Sequence, residues 1–324
     1  MNKLKKLPFF LPFAGCRGQC VYCDQRAITG VVKAPTPEDV RSVLKNIGEA
    51  REICYFGGSF CRFEERLIKE YLDCVTEYAP AGSKVRFSTY PGDLRDDALR
   101  SLVKKYPISR IELGIPTLDP SVLSACRREA EPAKIFEDIT LLMRDSLPIG
   151  VQMMIGLPGQ SAASSFDDLR ALARVKGEER WELRLYPCLV IEGTELSRLY
   201  REGRYRPLTV AEAALWGGEF IELAISLGFV PIRIGLQETP SLASGVAAGP
   251  HHPALGELIL AEAAARRMAK DSPRGPWHVP ASERSRFSGH KNFGLKRLAF
   301  HCKATLEEVA KNIFFDGQAG QKGA

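Results

Sequence analysis

Short apolar runs alternate with amphipathic stretches along most of the chain. Residues 7–14 read as a first strand stopped at Gly15. Thr36-Pro37-Glu38-Asp39 then opens a helix that should run to about Gly48, with a cap residue, a proline at the first helical position and acids in the first turn. Residues 52–56 form a short strand ended by Gly57-Gly58, and residues 64–77 have helical periodicity. Further strands are expected at 84–88, 109–113, 148–155 and 181–186. Helices are expected at 96–105, 120–126, 133–144, 165–175, 194–201 and 209–227, and residues 230–235 are a candidate further strand. Strands alternating with helices imply an α/β fold with a parallel sheet and crossover helices. Six or so units fit an open or partial (β/α)6 barrel better than a closed eightfold one, and periodicity alone does not separate this from a doubly wound sheet.

After Gln237 the pattern changes. Residues 241–253 are rich in Gly, Pro, Ser and Ala. A helix is expected at 254–270, then a Pro/Gly break, a basic stretch and a last helix at 306–313. The division expected is 1–237 for the barrel, 238–316 for a small basic C-terminal domain, and 317–324 for a disordered tail. The chain has 324 residues, 45% apolar and 26% charged, which excludes a largely disordered or collagen-like protein. It contains no apolar run of about 18 residues, so no membrane-spanning helix is expected. The net charge is +6, and residues 261–303 alone carry ten basic and three acidic side chains. A negatively charged partner would therefore be sought there.

Cysteine changes the picture most. Cys16, Cys20 and Cys23 fall within eight residues, in a loop just after the first strand. The Lys-rich start and the apolar stretch before Gly15-Cys16 superficially resemble a lipoprotein leader. That stretch is only eight residues long and holds Pro8 and Pro12, so a reducing, cytoplasmic setting is expected. Thiolates suit zinc or iron–sulfur clusters. Structural zinc usually takes four ligands, and the first histidine is His251. Three ligands at a barrel mouth leave one metal position open for chemistry.

The Cys16-Arg17-Gly18-Gln19-Cys20-Val21-Tyr22-Cys23 segment resembles the cysteine motif of the radical S-adenosylmethionine (SAM) superfamily. Other segments agree with it in order. Tyr55-Phe56-Gly57-Gly58-Ser59-Phe60 resembles the family's glycine-rich motif. The segments at 114–123 and 153–160 resemble ones shared by Elongator's catalytic subunit and coproporphyrinogen oxidase. Tyr205-Arg206-Pro207-Leu208-Thr209 and Ile232-Arg233-Ile234-Gly235 are similar to the Elongator side. The resemblance covers 8–237. It implies that Cys16, Cys20 and Cys23 hold a [4Fe–4S] cluster whose fourth iron chelates SAM. Reductive cleavage would then give a 5′-deoxyadenosyl radical that abstracts hydrogen from an unidentified substrate. It also implies that Gly57, Gly58 and Ser59 meet the amino group of SAM, that Tyr22 covers the adenine, and that Ile155 and Gly156 lie beneath it. Ser88 falls at a third strand end, where coproporphyrinogen-type relatives place a glutamate. Pro116 stands where many relatives have glutamine, and Tyr90 and Gly92 where Elongator-like relatives often have arginine and aspartate. The chain ends about 87 residues after Gln237, so the acetyltransferase domain of the Elongator subunit is not expected.

The remaining candidates have plainer readings. Cys54 and Cys61 flank the glycine pair as a buried thiol and a loop thiol, and Cys74, Cys126, Cys188 and Cys302 as packing residues. His251 and His252 are expected to fix their loop, and Arg184 and Tyr186 either face the cleft or form a salt-bridged rim. Arg266, Arg267, Arg284, Arg286, Lys291, Lys296 and Arg297, with Trp277, Phe287 and Phe293 interleaved, suit either RNA or a solvated cap. Partners expected are RNA or an anionic small molecule, and an electron donor such as flavodoxin or ferredoxin. Two alternatives stand beside the enzyme: a coproporphyrinogen oxidase-like haem chaperone, and a zinc-stabilised nucleic-acid-binding module.

Overall fold

The computed structural model describes residues 4–16, 18–128 and 130–316, so the tail expected at 317–324 lies outside the described residues. Six strands stand close to their expected places: β1 (Lys5–Leu11), β2 (Arg51–Gly57), β3 (Lys84–Thr89), β4 (Ile108–Gly114), β5 (Ile149–Ile155) and β6 (Glu182–Pro187). A two-residue strand β7 (Val190–Ile191) follows, and β8 (Val230–Ile234) then joins the main sheet. That sheet therefore has seven strands rather than six, in the order β1-β2-β3-β4-β5-β6-β8. Every pairing within it is parallel, and it curls into a half-barrel.

The crossovers are helical. They are α1 (Gln25–Thr29), α2 (Pro37–Leu44), α3 (Glu65–Tyr78), α4 (Asp97–Val103), α5 (Pro120–Ala125), α6 (Pro132–Arg144), α7 (Ala162–Lys176), α8 (Glu195–Arg201) and α9 (Val210–Ser226). The signals expected at Thr36 operate: its hydroxyl accepts from Asp39 N at 3.2 Å, and the Asp39 carboxylate accepts from Thr36 N at 2.8 Å. β1 ends three residues earlier than its apolar run. The Leu11 carbonyl turns to serve Ala14 N at 3.2 Å and Gly58 N at 3.1 Å, and Phe13 adopts a left-handed φ of 58°.

The two faces of the sheet differ sharply. On β5, Val151, Met153 and Ile155 are buried against the helices, whereas Gln152 and Met154 face the half-barrel interior and remain partly accessible. Register carries that inward row from Cys54 to Arg86, and from Gln152 to Arg184 and Arg233. Parallel strands covered on both faces usually read as unbroken apolar runs. The polar inner row marks an interior that is not simply core.

The chain after Gln237 packs back on the barrel. α10 (Pro240–Gly245) lies against α1, β9 (Val246–Ala248) pairs antiparallel with β7, and α11 (Leu255–Asp271) lies along α9. A second apolar core joins α11, β10 (Trp277–Pro280), α12 (Arg284–Cys302), α13 (Leu306–Asn312) and β11 (Ile313–Asp316). Much of the basic stretch is thus helix α12, interrupted by non-helical backbone from Gly289 to Asn292. Trp277 and Phe287 are buried in this core rather than presented for base stacking. The wholly buried Glu262 takes Arg266 Nε at 2.8 Å, Arg297 Nε at 2.5 Å and His301 Nε2 at 2.9 Å. Among the described residues Arg267, Lys291 and Lys296 have no ion pair. No helix among the described residues is long and apolar enough to cross a membrane.

Burial pushes the Glu262 carboxyl up, but hydrogen bonds from Arg297, His301 and Arg266 outweigh it and hold the pKa below the ordinary 4.5. A depressed folded pKa gives stability that is complete above the unfolded value and is lost as pH falls through the folded one. The urea midpoint should therefore drop as pH is lowered beneath 4.5, and Glu262→Gln should flatten that slope. The same variant should cost about 1–3 kcal/mol at neutral pH.

Candidate active site

The three clustered cysteines lie on a loop between β1 and α1. Cys16 is exposed, Cys20 and Cys23 are half-buried, and all three are free thiols. The loop is tied at several points: Cys23 N donates to Cys20 O at 3.0 Å, Val21 N to Cys126 O at 3.1 Å, and Leu196 N to Val21 O at 2.7 Å. Asp24 ends the loop by capping α1, accepting from Arg26 N and Ala27 N at 3.0 Å. Burial and the neighbouring Cys20 and Cys16 push the Cys23 thiol up to about 12, and burial and Cys20 likewise raise Cys16.

The glycine pair after β2 packs directly on this loop. A Cβ on Gly58 would lie 1.8 Å from Ala14 O, and one on Gly15 would lie 2.2 Å from Ser59 O. These glycines are needed for loop-on-loop contact, whatever ligand they also approach. Gln25 fastens the two loops, its Oε1 accepting from Phe13 N at 2.6 Å and Gly58 N at 3.0 Å. Gln25 was not expected from the sequence, because its role depends on two segments 33 residues apart.

Asp93 organises the next strand end. It accepts from Thr89 Oγ1 at 2.9 Å, Tyr90 N at 3.0 Å, Arg62 Nε at 2.5 Å and the Ser59 hydroxyl. Tyr90 lies between two guanidiniums, with Arg62 at 4.4 Å and Arg128 at 4.8 Å from its ring centre. Its buried hydroxyl has no hydrogen-bond partner among the described residues. Arg128 also reaches Cys20 Sγ at 3.5 Å and the Gly114 carbonyl at 2.5 Å. Sequence reasoning passed over Asp93, Arg62 and Arg128. The only local hint was the turn composition of Tyr90-Pro91-Gly92-Asp93.

These groups line one cavity of about 1270 Å³ at the C-terminal ends of the strands. Its wall includes Cys16, Cys20, Cys23, Tyr22, Gly57, Gly58, Ser59, Ser88 and Pro116. Arg184 and Tyr186 face it as well, so the cleft-facing expectation and the salt-bridged one both hold: Arg184 Nη2 donates to Glu112 Oε1 at 2.7 Å. Ile155 and Gly156 do not line it. Strand alternation puts Met154 on the wall and Ile155 wholly in the core, while the Gly156 carbonyl accepts from Tyr205 Oη at 2.7 Å. Cys61, expected as a loop thiol, is buried, as is Cys54. His251 and His252 stand apart, at a side pocket of about 400 Å³, with His251 Nε2 3.0 Å from Glu238 Oε2.

Among the described residues no group of three or more His, Cys, Asp or Glu side chains is close enough to enclose a metal ion. The donor set nevertheless fits an iron–sulfur cluster. Three soft thiols share one wall, the cationic Arg128 adjoins Cys20, and no histidine lines the cavity. A cation there would favour the thiolates of Cys16 and Cys23, which burial disfavours.

Comparison with known proteins agrees with this geometry. The family model for the Radical SAM superfamily matches residues 10–172, and that for the Radical_SAM C-terminal domain matches 181–266. A tRNA uridine(34) acetyltransferase of Methanocaldococcus jannaschii is 28% identical over 155 residues, covering 48% of this chain and 28% of that protein. One from Dehalococcoides mccartyi is 25% identical over 235 residues, covering 59% and 50%. The matches thus span between about a quarter and a half of these curated relatives. An N-terminally truncated Methanocaldococcus infernus Elp3 structure superposes with a TM-score of 0.59 at 21% identity, over 82% of this chain and 63% of that one. Streptococcus suis SuiB gives 0.52 at 12% identity, over 74% and 51%. At these identities the two structures establish the fold.

Gly58→Ala should lose about 1–3 kcal/mol of unfolding free energy, since neither backbone can yield to the added methyl. Gly48→Ala, whose Cβ meets nothing within 4 Å, is the control and should be near neutral in the same urea titration.

Proposed function

The chain belongs to the radical SAM superfamily, and we propose that Cys16, Cys20 and Cys23 hold a [4Fe–4S] cluster that binds SAM at the mouth of the half-barrel. The observation that carries this is the single cavity wall shared by the three thiols, the Gly57-Gly58-Ser59 turn and the strand ends. When bound, the cluster and SAM supply a 5′-deoxyadenosyl radical for hydrogen abstraction. The protein's own groups divide the binding. Backbone carbonyls of the glycine turn accept from the ammonium of SAM. Arg62 and Arg128, both on the cavity wall, meet its carboxylate. Tyr22 and Ser88 flank the adenosine, and Tyr90 lines the same cavity.

Substrate enters from the mouth and lies on the polar inner row, where Gln152, Arg184 and Tyr186 face it. Relatives named tRNA uridine(34) acetyltransferases make an RNA nucleotide one substrate class to test. A small reductant protein of the flavodoxin or ferredoxin class would supply the electron.

Anaerobically reconstituted protein should carry about four irons and four sulfides per chain. Its reduced electron paramagnetic resonance spectrum should shift when SAM is added. Cys20→Ala should lose most of the iron while keeping the wild-type urea midpoint within about 1 kcal/mol. Zinc in place of iron would overturn the proposal. Iron with no response to SAM, together with haem uptake, would move the protein to the haem-chaperone class.

A further inference from the structure

The half-barrel interior holds more positive than negative charge. Beneath the cavity floor, Arg86 reaches Glu52 at 3.0 Å and both Glu112 and Glu182 at 2.7 Å. Arg110 stands 3.7 Å from Glu182. Arg184 forms part of the floor itself; its Nη2 donates to Glu112 Oε1 at 2.7 Å, and its Nε lies 2.7 Å from Oε2 without hydrogen-bond geometry. Gln152 Nε2 donates to that same carboxylate at 2.9 Å. Glu112 is thus divided among two guanidiniums and an amide. Lys6 stands exposed at the start of the same row, opposite Glu52; partial burial, then the Arg86 and Arg184 guanidiniums, lower its pKa. Arg233, opposite Arg184 in the β6–β8 register, has no carboxylate partner among the described residues. Three carboxylates therefore face at least four cations.

The surplus has a definite outlet. Arg184 is 12% exposed, and among the described residues its Nη1 has only a 3.4 Å contact, to Tyr186 Oη. The guanidinium lies 4.7 Å over the Phe56 ring, which fixes its plane at the floor. A buried cation with an unfilled donor favours an anionic partner, and a planar guanidinium suits the oxygens of carboxylate and phosphate.

We propose that Arg184 Nη1 and Tyr186 Oη bind an oxyanion of the substrate, a phosphate or a carboxylate, and seat it on the cavity floor. The assignment rests on the cavity being the radical SAM active site, and it restricts the substrate to molecules that carry such a group. It also gives Glu112 a definite part: this carboxylate holds Arg184 in place and competes with the incoming anion.

The test uses reconstituted holoenzyme at constant ionic strength. Inorganic phosphate and malonate are each titrated, and the thermal unfolding midpoint is followed. A saturable rise is expected with one or both. Arg184→Met should weaken it at least about tenfold, as expected for loss of a charge-assisted pair. Glu112→Gln, which removes the competing carboxylate, should tighten it severalfold. Should Arg184→Met fail to fold, Arg184→Lys keeps the charge, loses the fork and should bind with intermediate strength. Tighter phosphate binding assigns the group to a nucleotide-like substrate, and tighter malonate binding to a carboxylic acid. No saturable response in the wild type, or equal affinity in the wild type and the folded Arg184 variant, overturns the proposal. The radical SAM reading fails by a separate readout, an iron spectrum unmoved by SAM, and the anion affinities are measured independently of it.

Discussion

The Ala14 carbonyl occupies the space a side chain on Gly58 would need, and the arrangement of the mouth depends on that contact. It brings the turn after β1 against the turn after β2. Gln25 then locks the pair from both sides. With those loops joined, the cysteine segment hangs over the strand ends rather than away from them. Ser59 is carried inward to meet Asp93, and Asp93 in turn places Arg62 against Tyr90. A chain of short contacts thus runs from the thiol loop across three strand ends, with Gln25 and Arg62 as its side-chain links.

The inside of the half-barrel obeys a different constraint. Strand alternation leaves one row per strand facing inward, and here that row carries Arg86, Glu112, Gln152 and Arg184. Such groups are costly to bury without partners. They are tolerated because they form ion pairs with one another below the floor and meet the cavity above it. The outer row is the reverse, with Ile53, Val85, Ile111, Val151 and Leu183 fully covered by helices. The helices therefore carry stability while the interior remains free for recognition.

The beginning and end of the chain differed in how far local pattern could be read. Caps, prolines and strand runs in the barrel are local signals, and they located the strands of the main sheet and helices α2 to α9 to within a few residues, while the short α1 and β7 were not expected. Helix α12 was missed because its pattern is broken at Gly289 and its charges look solvent-facing, although Arg297 and His301 turn inward to Glu262. Ile155 was assigned to the cavity from its place in a motif. The pleat decides such cases, and it gives that wall to Met154.

The sequence by itself determined the cysteine spacing, the glycine pair and the strand–helix alternation, and with them the family and the fold. These are properties of short segments, where residue type and neighbour spacing are enough. Only the tertiary structure decided that Gln25 joins two loops, that Asp93 holds Ser59 and Arg62, that Arg128 adjoins Cys20, and that Arg184 shares Glu112 with Arg86. Each of these contacts joins residues on different strands or loops. Their partners are set by sheet register and by the curl of the half-barrel, which no local pattern in the chain encodes.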